Sequence, residues 1–256
     1  MCWHSDPSFR KKQYLGIMDF NLFKKIIDEA ASSGTKAITM ASRGEPTLNP
    51  CFPDMLDYCA NKFLEIKINT NAIKLSDKVI HSLLKNNVNS VVFSVDSYNR
   101  EDYLKIRKKD CFDEVVKNIE RFNFIRTVFY DNLRTVTRIH GVRADKNLNE
   151  KEFITFWSKY CDQVSIGDCD QRWDIYNNEK VNRSKGCSFL YDRMYVWYDG
   201  TCNVCDPDYK SKLTVGSVLN NSLAEIWNGK AYKKLILEHF ILDSLPEPCD
   251  RCSVGL

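Results

Sequence analysis

The sequence predicts an α/β fold over its first two thirds and a small cysteine-rich unit in its last quarter. Three observations carry this. Short apolar runs of strand length alternate with amphipathic stretches of helical period. Polar turn groups stand at the ends of those runs. Four cysteines, Cys187, Cys205, Cys249 and Cys252, crowd the C-terminal segment.

In chain order, Asp19 is placed to cap a helix reaching about Ser33, with Phe20, Phe23, Ile26, Ile27, Ala30 and Ala31 on one face and Gly34 beyond its end. Residues 36–41 read as a short buried strand that runs into the glycine-bearing loop Ser42-Arg43-Gly44-Glu45-Pro46. A helix over 52–62, a strand over 64–69 ending in Thr70-Asn71-Ala72, and a helix capped by Ser76 follow. The next strand, 90–95, ends in Ser94-Val95-Asp96-Ser97. Helices over 100–107 and 112–124, a strand over 134–139, a helix over 149–160 and a strand over 163–166 complete the alternation. Strands separated by helices make a parallel sheet, open or curled into a barrel, and such sheets collect ligands at the carboxyl ends of their strands. Ser42 to Glu45, Thr70-Asn71, Ser94 to Asp96 and Arg138-Ile139-His140 are therefore expected on one rim. The count begins with a helix, so a first strand, which would lead into Cys2, is absent from this sequence.

Residues 171–186 read as a linker or loop. Arg193 to Tyr198 is strand-like and closes with the turn pair Asp199-Gly200; Ser222 caps a helix with Leu223, Ile226 and Trp227 inward, and a further helix spans about 231–240. Cys249-Asp250-Arg251-Cys252 presents two sulfurs on one side of a tight turn, and the hairpin offers Cys187 and Cys205. Four thiolates converging in this way hold iron–sulfur or zinc, and spacing alone does not separate the two. Cys51, Cys59, Cys111 and Cys161 fall on apolar helix faces or helix ends and read as core. Cys202 reads as a bystander in the hairpin, and Cys169, just past a strand, is ambiguous.

Composition narrows the class. The chain has 256 residues, 43% hydrophobic and 28% charged, with 37 basic against 34 acidic residues. A net charge of +3 without a basic block argues against nucleic acid as a partner. No apolar run approaches the roughly 20 residues that span a bilayer, and no charged-then-apolar leader opens the chain, so a cytoplasmic location without membrane association is expected. Eleven cysteines in a reducing compartment point to metal ligation plus scattered core thiols.

Taken together, these motifs resemble the radical S-adenosylmethionine (radical SAM) enzymes that carry a C-terminal SPASM-type auxiliary-cluster domain. The family motif Cys-x3-Cys-x2-Cys holds a 4Fe-4S cluster; Met1-Cys2-Trp3-His4 is similar to its tail, with Cys2 as the third cysteine. Arg43-Gly44-Glu45-Pro46 is similar to the family's Gly-Gly-Glu-Pro loop, with arginine for the first glycine. Thr70-Asn71-Ala72 resembles its Thr-Asn-Gly, and Ser94-Val95-Asp96 its Ser-x-Asp. Cys187-x12-Gly200-x4-Cys205, Gly216, Ser222 to Asn228 and Cys249-x2-Cys252 are similar to the auxiliary-cluster domain.

The resemblance implies a partial (β/α)6 TIM-like barrel lacking its first strand in residues 1–170, followed by a SPASM/twitch-type domain in 171–256. It implies S-adenosylmethionine bound by Arg43, Gly44, Glu45, Asn71, Ser94, Asp96 and Arg138, with Glu45 toward the methionine amino group and Arg138 toward the carboxylate. One auxiliary 4Fe-4S cluster is expected on Cys187, Cys205, Cys249 and Cys252, and a second, catalytic one in a longer protein that supplies the two cysteines missing beside Cys2. The implied activity is that of an oxidoreductase generating a 5'-deoxyadenosyl radical to modify a small-molecule, carbohydrate-like or peptide substrate. Its electrons would come from a low-potential donor such as flavodoxin or ferredoxin, and residues 1–256 alone are expected to be inactive. The alternatives are a truncated relative that keeps only the auxiliary cluster for binding or electron transfer, and a zinc-stapled binding domain. No individual catalytic residue is assigned.

Overall fold

Side-chain caps start the helices where the sequence places them. The Asp19 carboxylate accepts from the amides of Asn21 (2.8 Å) and Leu22 (3.0 Å) to open α1 (Phe20–Ser32). The computed structural model describes residues 6–11, 14–130, 134–144, 148–169, 175–183, 185–241 and 245–254. Cys2 lies outside the described residues. After α1 come β1 (Ala37–Met40), α2 (Phe52–Cys59), β2 (Glu65–Thr70), α3 (Asp77–Lys85), β3 (Ser90–Ser94), α4 (Arg100–Arg107), α5 (Phe112–Phe129), β4 (Val136–Arg143), α6 (Glu150–Trp157) and β5 (Gln163–Asp168). The C-terminal segment holds α7 (Phe189–Asp192), β6 (Tyr195–Val196), β7 (Thr201–Asn203), β8 (Thr214–Ser217), α8 (Leu223–Trp227) and α9 (Lys230–Ile241).

Among the described residues β1 to β5 form a parallel sheet in sequential order, the arrangement of a partial TIM-like barrel. Strand alternation gives this sheet two unlike faces. One carries Ile68 beside Val91, and Phe93 beside Ile139, all buried. The helices cover it: Phe93 meets Phe122 of α5 edge to face at 5.6 Å between centroids, and the Trp157 indole of α6 donates to the Ser97 carbonyl at 3.1 Å. The other face carries the rows Thr39–Lys67–Ser90, Asn69–Val92–Arg138–Gln163 and Ser94–His140–Ser165. These rows are mostly polar.

Several boundaries move from the sequence expectation. α2 stops at Cys59 because Asn61 takes a left-handed φ of +62°. α5 continues to Phe129, with no glycine or proline to end it at 124. β4 extends to Arg143 because its ladder with β5 runs on through Arg143 and Asp168. β6 is confined to two residues, and α7 and β8 lie outside the sequence expectation.

The chain divides into two compact units, Gly34–Cys169 and a second one joining Met1–Ser33 to Asp170–Leu256. In the second unit β6, β7 and β8 form an antiparallel sheet, with Gly200 at φ +82° in the turn between β6 and β7. Its core holds Leu190, Cys202, Val204, Val215, Val218, Ile226, Tyr232 and Leu235, and Leu22 and Ile26 of α1 pack against it. Polar ties fix α1 there: Lys25 Nζ donates to the Val218 carbonyl, and Glu29 accepts from the Leu223 amide at 2.8 Å. Ser222 and Glu225 form a reciprocal capping box at the start of α8. No helix among the described residues is long and apolar enough to cross a membrane.

Candidate functional site

The loop after β1 and the ends of β2 and β3 build the first site. Glu45 Oε1 accepts from the Thr47 hydroxyl (2.7 Å), the Thr47 amide (3.2 Å) and the Thr70 hydroxyl (2.6 Å), while Oε2 accepts from the Asn71 amide (2.7 Å). Glu45 thus ties its loop to the end of β2 and keeps lone-pair capacity on Oε2 for one more donor. The Asn71 side-chain oxygen accepts from the Ile73 amide (2.9 Å), an Asx turn that carries Ala72 through φ +61°. Arg43 is half-buried, and a Cβ added at Gly44 would meet nothing within 4 Å. The fold itself does not require glycine at 44; its absence of a side chain leaves the loop backbone open to approach.

Asp96 is held from two sides. Its Oδ1 accepts from the Val142 amide (2.9 Å), and its Oδ2 pairs with Arg107 (2.7 Å), whose guanidinium also donates to the Ser94 carbonyl (2.8 Å). With both oxygens engaged, Asp96 shapes the strand end instead of presenting a bare carboxylate. Arg138 is exposed on the polar face between Val92 and Gln163, and its guanidinium has no partner among the described residues. Ser42 Oγ and Asn69 Oδ1 are buried without a hydrogen-bond partner, and Ser42 sits at φ +91°. Buried polar atoms are nearly always paired, so these two fit a polar ligand at this rim.

The second site lies in the C-terminal unit. Cys187, Cys205, Cys249 and Cys252 line one cavity together with Arg183 and His239. A short 3-10 turn, Cys249–Arg251, presents the last pair, and the Cys252 amide donates to the Cys249 carbonyl at 3.2 Å. The Asp208 side chain accepts from the amides of Lys212 (2.9 Å) and Leu213 (2.7 Å), which folds the loop that follows Cys205. Arg183, 7% exposed, donates to the carbonyls of Cys252 (2.8 Å) and Val254 (2.7 Å). Burial, then the neighbouring Cys252 and Cys187 thiols, push the Cys249 thiol well above its ordinary value; burial does the same to Cys205. Such thiols give up their protons to a bound metal centre.

Among the described residues no three His, Cys, Asp or Glu side chains converge on a single-ion site. The four cysteines line the same cavity. Four thiols so placed would suit a 4Fe-4S cluster as its ligands.

The other described cysteines do not line this cavity. Cys202 is fully buried in β7, with its thiol pushed up to about 12 by burial. Cys59 is fully buried and donates its S–H to the Met55 carbonyl at 2.8 Å; Cys111 is buried, Cys51 and Cys161 are half-buried, and Cys169 is exposed at the end of β5. Sequence reasoning missed Asn69, Arg107, Arg183 and His239. Arg107 and Arg183 act through contacts distant in sequence and carry no local signal. His239 had one: with Tyr232 and Leu235 it continues the buried stripe of α9, an ionisable group on an apolar face.

Residues 1–141 match the family model of the radical SAM superfamily, and residues 187–253 match SPASM, described as an iron-sulfur cluster-binding domain. The chain is similar to a GTP 3',8-cyclase of Mannheimia succiniciproducens, 25% identical over 182 residues, covering 67% of this chain and 50% of that protein. It spans half or less of the length of the curated relatives it matches. Two solved structures share the fold. BtrN in complex with AdoMet and 2-DOIA has a TM-score of 0.59 at 17% identity, covering 99% of this chain and 86% of that one. Streptococcus suis SuiB bound to the precursor peptide SuiA has a TM-score of 0.66 at 16% identity, covering 90% and 62%.

Proposed function

Because this chain belongs to the radical S-adenosylmethionine superfamily, a family of enzymes that use 4Fe-4S clusters and S-adenosylmethionine, we propose that its sheet rim seats S-adenosylmethionine and its late cysteines hold one auxiliary cluster. The observation that carries this reading is the rim itself, a polar sheet face with Ser42 Oγ and Asn69 Oδ1 buried and unpaired beside a loop fastened by Glu45. The Arg43-Gly44-Glu45 backbone and the open position on Glu45 Oε2 suit an ammonium group, and Arg138 suits a carboxylate. Asn71, Ser94 and Asp96 keep the strand ends in register around that seat. Cys187, Cys205, Cys249 and Cys252 are the auxiliary ligands, and Cys2 contributes one thiolate to a catalytic cluster. When bound, that cluster and S-adenosylmethionine supply a 5'-deoxyadenosyl radical for hydrogen abstraction, chemistry that belongs to the cofactors. The protein's residues orient the ligand and exclude water.

Lys67, Arg138, His140, Gln163 and Ser165 on the same face suit a substrate rich in hydrogen-bonding groups, a carbohydrate-like small molecule or a peptide segment. The relatives act on varied partners: one is named for GTP, and the two solved structures hold 2-DOIA and a precursor peptide. A radical SAM core in 1–170 whose α1 packs on the C-terminal core, an auxiliary-cluster domain in 171–256, a flavodoxin- or ferredoxin-type electron donor and a cytoplasmic location complete the reading.

Two experiments test it. Titration calorimetry of the anaerobically reconstituted protein with S-adenosylmethionine is expected to show binding about tenfold weaker in Arg138→Ala; unchanged affinity in both Arg138→Ala and Asn69→Ala removes the seat. Residues 1–256 carry one thiolate of the Cys-x3-Cys-x2-Cys set, so this polypeptide alone is expected to make no 5'-deoxyadenosine. The same chain preceded by its in-frame upstream residues, if these carry the other two cysteines, is expected to make it. Reproducible 5'-deoxyadenosine from residues 1–256 overturns the assignment of Cys2.

A further inference from the structure

We propose that His239 tunes the auxiliary cluster: its Nδ1–H donates a hydrogen bond to a sulfur of the cluster held by Cys187, Cys205, Cys249 and Cys252. The inference rests on the ligand set proposed above and extends it to a residue outside the cysteine pattern.

His239 occupies the last turn of α9, 3% exposed, on the buried stripe with Tyr232 and Leu235. It lines the cavity shared by the four cysteines, and its Nδ1 is fully buried with no hydrogen-bond partner among the described residues. A ring nitrogen left unpaired in such a place loses its hydrogen bond to water with nothing in return. A leucine would continue the apolar stripe without that penalty.

Among the described residues the rest of the lining offers His239 no side-chain oxygen. Beside the cysteines it consists of Ile175, Phe189, Pro207, Pro248 and Val254, with Arg183, itself a donor already engaged with the carbonyls of Lys185, Cys252 and Val254. With Nδ1 as the protonated ring nitrogen, its acceptor is assigned to what fills the cavity. A cubane brings acceptors there, its sulfides and the cysteine thiolates, all bearing negative charge. Hydrogen bonds to these sulfurs are one of the means by which a protein sets a cluster's potential. A donor stabilises the reduced, more negative state, so its removal makes the cluster harder to reduce. His239 is thus a positioning and tuning residue, not an iron ligand.

The test uses the full chain, reconstituted anaerobically with iron and sulfide, in three forms: wild type, His239→Leu, which fills the space without a donor, and His239→Asn, whose side-chain nitrogen overlies Nδ1. Iron content and an electron-paramagnetic-resonance redox titration are the readouts. The expected result is equal iron in all three, a more negative potential for His239→Leu, and a potential for His239→Asn restored toward wild type. A Leu variant without iron, beside an Asn variant that keeps it at the wild-type potential, also supports the donor role. Equal potentials in wild type and the Leu variant, with iron retained, overturn the proposal while leaving the cysteine ligands intact. Nitrogen hyperfine coupling that shows imidazole bonded directly to iron also overturns it. Wild-type protein that takes up no iron overturns the ligand set itself, and the role of His239 with it.

Discussion

The Thr70 hydroxyl donates to Glu45 Oε1 at 2.6 Å, fastening the loop after β1 to the last residue of β2. The same carboxylate accepts from the Thr47 and Asn71 amides, so removing it strands two backbone donors at the sheet rim. Glu45→Ala is expected to cost about 2 kcal/mol in chemical denaturation and to weaken S-adenosylmethionine binding. Thr70→Val, which removes one hydroxyl, is expected to cost about 1 kcal/mol. Wild-type stability in the Glu45 variant would show that the loop is held by other contacts.

Gly141 lets β4 pass close under the end of β3. A Cβ at this position would stand 2.6 Å from the Val95 carbonyl oxygen and 2.8 Å from Phe153 Cζ. Gly141→Ala is therefore expected to destabilise by about 1–3 kcal/mol and to disturb Asp96, the next residue after Val95. Gly167→Ala serves as the control, because its Cβ would meet only His140 Cε1, at 3.8 Å. Similar unfolding midpoints for the two variants would refute the close-approach argument.

Cys249 and Cys202 separate ligation from packing. Cys249→Ala is expected to abolish or strongly reduce bound iron and to destabilise the C-terminal unit, since an incomplete thiolate set no longer retains the cluster. Cys202, fully buried in the hydrophobic core, is expected on replacement by Ala to lose about 1 kcal/mol of stability with iron content unchanged. Iron and sulfide analysis of the two proteins decides between the roles; equal iron in both counts against the ligand set.

Arg126 and Asp162 link α5 to the start of β5 and give the N-terminal sheet an acid-sensitive element. Burial pushes the Asp162 carboxyl up, but hydrogen bonds from Arg126 and from the amide and hydroxyl of Thr137 outweigh it and hold the pKa down at about 2. The folded value lies below the unfolded one of about 3.9. Its stabilisation is therefore complete above the unfolded value and is lost as pH falls through the folded one. With the Asp162 side chain 40% exposed, solvent screening limits the effect, and Asp162→Asn is expected to cost about 1 kcal/mol near neutral pH. That deficit should shrink as pH falls toward 2 and vanish below it, as denaturation at several pH values would show; a deficit independent of pH would rule out the ionised carboxylate as its source.

The sequence by itself determined the order and type of the main elements and the pattern of the late cysteines. Helical and strand periods, and caps such as Asp19, Ser76 and Ser222, depend on residues within a few positions of one another, so they are legible locally. The motif residues Glu45, Asn71, Ser94 and Asp96 could likewise be assigned to strand ends, because those ends follow from the same local signals. Their partners were decided by the tertiary structure. Glu45 meets Thr70 and Asn71, and Asp96 meets Val142 and Arg107, only once parallel strands align. Tertiary packing also placed α1 against Ile226 and its neighbours in the C-terminal core, and set Arg183 and His239 beside the four thiols. Hydrogen bonds and apolar contacts between residues distant in sequence arise from the shared geometry of whole elements, which no local pattern encodes.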